Sequence, residues 1–170
     1  MQTAQLPNTA KTIKSSIQIF PFSRLSSPEH LHSSFEIIVP SAGVVRAGIG
    51  GQEYSFTVGE MLVIFPGMQH SYIRSENCRG VALTFSQEML ASLERDFSAL
   101  QPEFPILRID DLDRDVPYCL DRLKEMQAQS MMNEELAEAY LSLMFLRLLP
   151  QLQPRARMTT SGRRMRTSLN

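Results

Sequence analysis

The chain contains three histidines, His30, His32 and His70, and the residues around them are the ones best suited to chemistry. The first two lie in the stretch His30-Leu31-His32-Ser33-Ser34-Phe35-Glu36. Side chains on an extended strand alternate between faces, so His30, His32, Ser34, Glu36 and Ile38 share one face of a regular strand. The same parity places His70, Tyr72 and Arg74 together. If both faces point into one barrel, three imidazoles and a carboxylate converge, a set suited to zinc, iron, nickel, copper or manganese. A second reading is direct contact with an organic small molecule, in which Tyr72 and Arg74 bind a polar or anionic group and the guanidinium forks onto a carboxylate. A third is a barrel mouth whose polar groups bond only to one another and to water. The residue types alone leave all three open.

The elements that must position these groups fall into two zones. Ile13–Phe22 suggests a first strand. Phe35–Val39, Val44–Ile49, Gln52–Phe56, Met61–Phe65, Ser71–Ser75 and Gly80–Phe85 are short runs rich in β-branched and aromatic residues. Gly48, Gly50 and Gly51 mark a hairpin, and Val58-Gly59, Pro66-Gly67 and Asn77 mark further turns. Many short strands at regular spacing predict a sandwich or barrel. After Phe85 the period becomes helical. Ser86 is an N-cap candidate for a helix over 87–100, carrying Met89, Leu90, Leu93 and Phe97. Leu112, Val116, Leu120, Leu123 and Met126 predict a second helix ending near Gln129. A third starts after Asn133, with Glu134 and Glu135 in its favourable first turn, and is expected to stop at Pro150. Its apolar residues cover so much of the circumference that burial on more than one side is expected.

A chain of 170 residues supports one core with a small extension. The division expected is a loose lead-in over 1–11, a barrel over 12–110, paired helices over 111–150 and a flexible basic tail over 151–170. The formal net charge of −1 is unevenly spread. Arg155, Arg157, Arg163, Arg164 and Arg166 face no acid in the tail, which leaves 12 basic and 18 acidic residues in 1–150. An acidic body offers no electrostatic footprint for nucleic acid. No apolar run reaches membrane-spanning length and no signal-peptide layout opens the chain, so a cytoplasmic location without membrane attachment is expected. Cys78 and Cys119 lack metal-type spacing and read as buried free thiols. No serine or cysteine nucleophile set, phosphate loop or dinucleotide fingerprint stands out.

The first stretch, read on to Gly43, resembles the first motif of the cupin β-barrels: His-x-His, three residues, Glu, six residues, Gly. The run Gly59-Glu60-Met61-Leu62-Val63-Ile64-Phe65-Pro66-Gly67-Met68-Gln69-His70 resembles the second motif, with its proline displaced by one position. Together with the closing Val81-Ala82-Leu83-Thr84-Phe85-Ser86 and the trailing helices, the sequence over roughly 13–150 is similar to the effector-binding and dimerisation domain of AraC-type transcription regulators. The resemblance implies a mainly β fold, a cupin double-stranded β-helix (jelly-roll barrel) followed by C-terminal α-helices. It implies a non-enzymatic sensor of a small effector held by His30, His32, Glu36, His70, Tyr72 and Arg74, a polar patch in an apolar cavity lined by residues such as Ile38 and Phe65 or its neighbours. With no phosphate-binding glycine loop, a sugar or small organic acid suits such a cavity better than a nucleotide. It also implies a homodimer through the last two helices, with Leu120, Leu123, Tyr140, Leu143 and Met144 at the interface. The family's C-terminal DNA-binding domain, about 100 residues in size, has no counterpart here, so sequence-specific DNA binding is not expected of this chain. The alternative is a stand-alone cupin enzyme with a divalent transition metal on His30, His32, Glu36 and His70. Arg74 weakens it by standing where many metal cupins place asparagine.

Overall fold

The computed structural model describes residues 16–75 and 77–158. Eleven strands and two helices appear among them. The strands are β1 (Ile17–Phe22), β2 (Ser27–His30), β3 (Ser34–Ala42), β4 (Val44–Ile49), β5 (Gln52–Thr57), β6 (Glu60–Ile64), β7 (His70–Ile73), β8 (Arg79–Ser86), β9 (Leu100–Pro102), β10 (Ile106–Arg108) and β11 (Pro154–Ala156). The helices are α1 (Asp115–Ala128) and α2 (Glu134–Leu152). Antiparallel pairing builds a five-stranded sheet, β1-β8-β3-β6-β10, a four-stranded sheet, β2-β7-β4-β5, and a small β11-β9 ribbon. From β3 to β8 the chain passes back and forth between the two larger sheets. That is the path of a double-stranded β-helix.

The sheets differ in how they are covered, and the sequence pattern reflects it. In β3, Phe35, Glu36, Ile37 and Ile38 are all buried, as are Met61–Ile64 of β6. A sheet covered on both faces needs such continuous apolar runs. Glu36 lies opposite Ile64, and Ile38 opposite Leu62, on the face toward the four-stranded sheet. Phe35 takes the other face, stacking on Phe85 at 4.9 Å and meeting Phe145 of α2 at 5.0 Å. Helix α2 therefore closes the outer face of the five-stranded sheet. In β4 the residues alternate, with Val45, Ala47 and Ile49 inward and Val44 and Arg46 exposed, as expected of a sheet with one wet face. Gly50 and Gly51 both adopt positive φ, 57° and 83°, the backbone that a two-residue hairpin between β4 and β5 requires.

Helix α2 is capped as its sequence predicts, with the Asn133 Oδ1 accepting from the Leu136 N–H at 2.8 Å. Helix α1 folds back antiparallel to it, since Arg147 near the end of α2 donates to Asp115 at the start of α1, 2.9 Å away.

Several expectations fail here, each for a local reason. No α-helix spans 87–100. Two 3-10 turns, Gln87–Leu93 and Phe97–Ala99, replace it, interrupted by Glu94 in the left-handed region at φ 52°. The Ser86 hydroxyl accepts the Ser16 N–H at 3.1 Å instead of capping a helix. Met89, Leu90 and Phe97 are buried all the same, so the apolar spacing reports burial and not helix type. Pro150 does not end α2, which continues to Leu152 and stops at Gln153, left-handed at φ 45°. A proline inside a helix costs about 3 kcal/mol, while fully burying leucines such as Leu148 and Leu152 contributes about 1.5–3 kcal/mol each. Residues 151–156 are not loose: they complete α2 and then form β11, paired to β9. Ile13, the lead-in 1–11 and the tail from 159 lie outside the described residues.

Candidate functional site

Strand pairing brings the histidines together at one end of the barrel. His30 closes β2 and sits directly opposite His70, the first residue of β7. His32 occupies the link between β2 and β3, so the regular strand expected through 30–38 is broken there. The rings converge nevertheless, with centroids 4.3 Å apart for His30 and His70, 4.9 Å for His32 and His70 and 5.7 Å for His30 and His32.

Each imidazole is oriented by the backbone. Nδ1 of His30 donates to the Pro28 carbonyl at 2.8 Å, Nδ1 of His32 to Ser34 at 3.0 Å, and Nδ1 of His70 to Met68 at 2.8 Å. A carbonyl only accepts, so hydrogen resides on Nδ1 in all three rings and the Nε2 positions face the cluster. Glu36, fully buried, stands below. Its Oε1 accepts from the Tyr72 hydroxyl and its Oε2 lies 3.2 Å from Nε2 of His32. A carboxylate this close attracts a cation at that nitrogen, whether a proton or a metal ion.

Burial pushes Glu36 toward its neutral form, but hydrogen bonds from His32 and Tyr72 and the nearby imidazoles outweigh it, and its carboxyl is held below the usual range. His70 moves down because burial disfavours imidazolium more than Glu36 favours it. Burial and the Glu36 charge drive the Tyr72 hydroxyl well up, keeping it a neutral donor. One atom is left over. Nε2 of His70 is buried and has no hydrogen-bond partner, its nearest carboxylate oxygen being Glu36 Oε1 at 3.9 Å. A buried lone pair without a partner costs about 1–3 kcal/mol, and a ligand offering a donor or a metal ion would satisfy it.

The three histidines fit a metal ion. They present ring nitrogens within 4.8 Å of one another, and each has the backbone partner on its other nitrogen that orients metal-ligating imidazoles. A tetrahedral ion with N–metal bonds of about 2.1 Å needs nitrogens about 3.4 Å apart, a closure available to the half-buried rings of His30 and His32. Glu36 has both oxygens engaged and serves to orient the set.

Two predicted members fall elsewhere. Arg74 lies one residue past β7 and is exposed, so strand alternation does not carry it to the face of His70 and Tyr72. Of Phe65 and its neighbours, Ile64 shares the interior face with Glu36, whereas the Phe65 ring packs on Phe35 at 5.4 Å and Phe97 at 5.5 Å, on the helix side of the sheet. Sequence reasoning also missed the carbonyls of Pro28, Ser34 and Met68, because backbone acceptors carry no side-chain signal. The proposed interface needs the same correction. Leu120, Leu123 and Met144 are buried within the protomer; only Leu143, 36% exposed, and half-buried Tyr140 reach the surface. Among the described residues no helix is long and apolar enough to cross a membrane.

Comparison with known proteins agrees with this architecture. ToxT from Vibrio cholerae in a P21 crystal form superposes with a TM-score of 0.53 at 10% identity, covering 86% of this chain and 60% of that one. The unsaturated fatty acid-bound wild-type ToxT from strain SCE256 gives 0.50 at 11% identity, with 81% and 55% covered. ToxT bound to (E)-4-(8-methylnaphthalen-1-yl)but-3-enoic acid gives 0.52 at 9% identity, with 81% and 57% covered. At such identities the likeness is one of fold, and the chain spans between 55% and 60% of these ToxT chains. No curated protein matches the sequence. The AraC-like ligand binding domain, however, matches residues 15–151. With that match covering most of its length, the chain belongs to the AraC-like ligand-binding domain family.

Proposed function

We propose that this chain is the effector-sensing and dimerisation module of an AraC-type transcription regulator, and that its effector is a small polar or carboxylated molecule held at the histidine end of the barrel. The observation that carries this reading is the buried, unpartnered Nε2 of His70 at the centre of three imidazoles whose Nδ1 atoms are all committed to the backbone. That arrangement leaves a polar contact to be made by something outside the chain. Carboxylic acids suit the site when a transition-metal ion occupies it. Two ToxT structures hold a carboxylic acid, and a metal on the Nε2 atoms would take a carboxylate oxygen that neutral acceptor nitrogens above an ionised Glu36 would otherwise repel. A divalent transition metal on His30, His32 and His70 would supply a Lewis-acidic centre for carboxylate or hydroxyl oxygens. The chain's own part is to orient the rings, keep Glu36 charged beneath them and exclude water from His70.

Pairing belongs to the same proposal. Leu136, Tyr140 and Leu143 follow one line along α2, and Tyr118 of α1 meets Tyr140 at 6.3 Å. These partly exposed side chains form the face through which two copies would join. A thermal-shift screen of sugars, small organic acids and an unsaturated fatty acid, each with and without zinc, tests the sensing claim. The original chain should be stabilised by at least one class and His70→Gln should lose that gain. Equal stabilisation of both chains would refute the site.

A further inference from the structure

Arg157 follows the last strand of the described structure, far in sequence from the histidines, yet its guanidinium reaches the turn at Pro66 and Gly67 between β6 and β7. It donates through Nη2 to the Pro66 carbonyl and, at 2.8 Å, to the Leu100 carbonyl, which Nε also approaches at 3.3 Å. Its own N–H donates to Ala99 at 2.9 Å, extending the β11-β9 ribbon. A methyl group placed on Gly67 would meet Nη1 at 2.7 Å, so the guanidinium lies directly against that glycine. All the side-chain acceptors are carbonyls. A half-buried cation without a bonded carboxylate is a poor device for stability, which argues for a positional role.

The turn it grips is the one that holds the site. The Gly67 N–H donates to the His32 carbonyl at 2.7 Å, and the Met68 carbonyl accepts from His70 Nδ1 at 2.8 Å. Three successive residues, Pro66, Gly67 and Met68, therefore join Arg157 on one side to His32 and His70 on the other. Resting on the site reading above, we infer that Arg157 is a positioning residue which couples docking of the C-terminal strand β11 to the geometry of the histidine cluster. The coupling runs both ways, because whatever favours one arrangement of the turn at one side favours it at the other. Occupancy of the histidine site would tighten β11 against β9, and release of β11 would slacken His32 and His70. The chain continues from β11 into a stretch of sequence that holds Arg163, Arg164 and Arg166.

Amide hydrogen exchange on the full chain tests this with zinc as the probe. In the metal-free protein Arg157→Ala should speed exchange of the Gly67 amide about tenfold, with Arg157→Lys between it and the original because an ammonium lacks the planar fork and the second nitrogen, Nε, that also approaches Leu100. Arg155→Ala, which removes the pairing with Glu103 on the same strand, should leave Gly67 unchanged. Zinc should slow exchange of the Arg157 amide in the original chain and not in His32→Ala, and Arg157→Ala should bind zinc about tenfold more weakly. If zinc fails to bind while Gly67 still responds to Arg157→Ala, the metal reading of the site fails and the positioning role stands. Unchanged Gly67 exchange in both Arg157 variants overturns the inference, whatever zinc does.

Discussion

At the scale of single residues, the site is a charge balance written in hydrogen bonds. Glu36 is ionised because Tyr72 and the imidazoles hold it so, and His70 stays neutral because it is buried. Both have folded pKa values below their ordinary ones, 4.5 and 6.5. A group depressed on folding takes up its proton more readily when unfolded, so stability rises with pH through this window. The melting temperature should therefore fall as pH drops below about 6.5, and fall further toward 4.5. His70→Gln should flatten the upper part of that fall, and an unaltered profile in this variant would show that His70 titrates normally. Tyr72→Phe removes one bond to a buried carboxylate and should cost about 1.5–3 kcal/mol in urea unfolding. The convergence of His30, His32, Glu36 and His70 was legible in the two motif spacings, although the regular strand expected through 30–38 is broken between His30 and Ser34. Arg74 was misplaced by the same parity rule that succeeded for Tyr72, since β7 ends at Ile73 and parity has no meaning beyond a strand.

Among the elements, burial decided where propensity was ambiguous. The strand runs from β3 to β8 were legible in β-branched content and glycine turns, while β2, Ser-Pro-Glu-His, carries no such pattern and forms by pairing with β7. The stretch 87–100 misled because a 3-10 turn and an α-helix bury similar apolar spacings, and nothing in Met89, Leu90 or Phe97 separates them. Phe145 ties α2 to the sheet through Phe35 and Phe85 and to the 3-10 turn Phe97–Ala99 through Phe97. Phe145→Ala should destabilise the chain by about 3–5 kcal/mol, read by denaturant unfolding. Asn133→Ala, which removes only the cap, should cost about 1 kcal/mol. If the two losses were equal, α2 would not be held by the aromatic cluster.

For the molecule as a whole, the described residues form an AraC-like ligand-binding barrel and a helix pair, and the joining of two copies through α1 and α2 is the proposal. Leu143→Glu places a charge on the exposed line of α2 without touching the buried Leu120, Leu123 or Met144. Sedimentation should show a dimer for the original chain at high micromolar concentration and a monomer for the variant, both with the same thermal transition; a monomeric original chain would remove pairing from the account. The central claim, that the histidine end receives the effector, is tested most directly by side-chain nitrogen NMR of the histidines, with and without the compound that gives the largest thermal shift. Binding should move the Nε2 resonance of His70, the atom the fold leaves without a partner, together with that of His32. A compound that saturates the chain while all three histidines keep their spectra would contradict the claim.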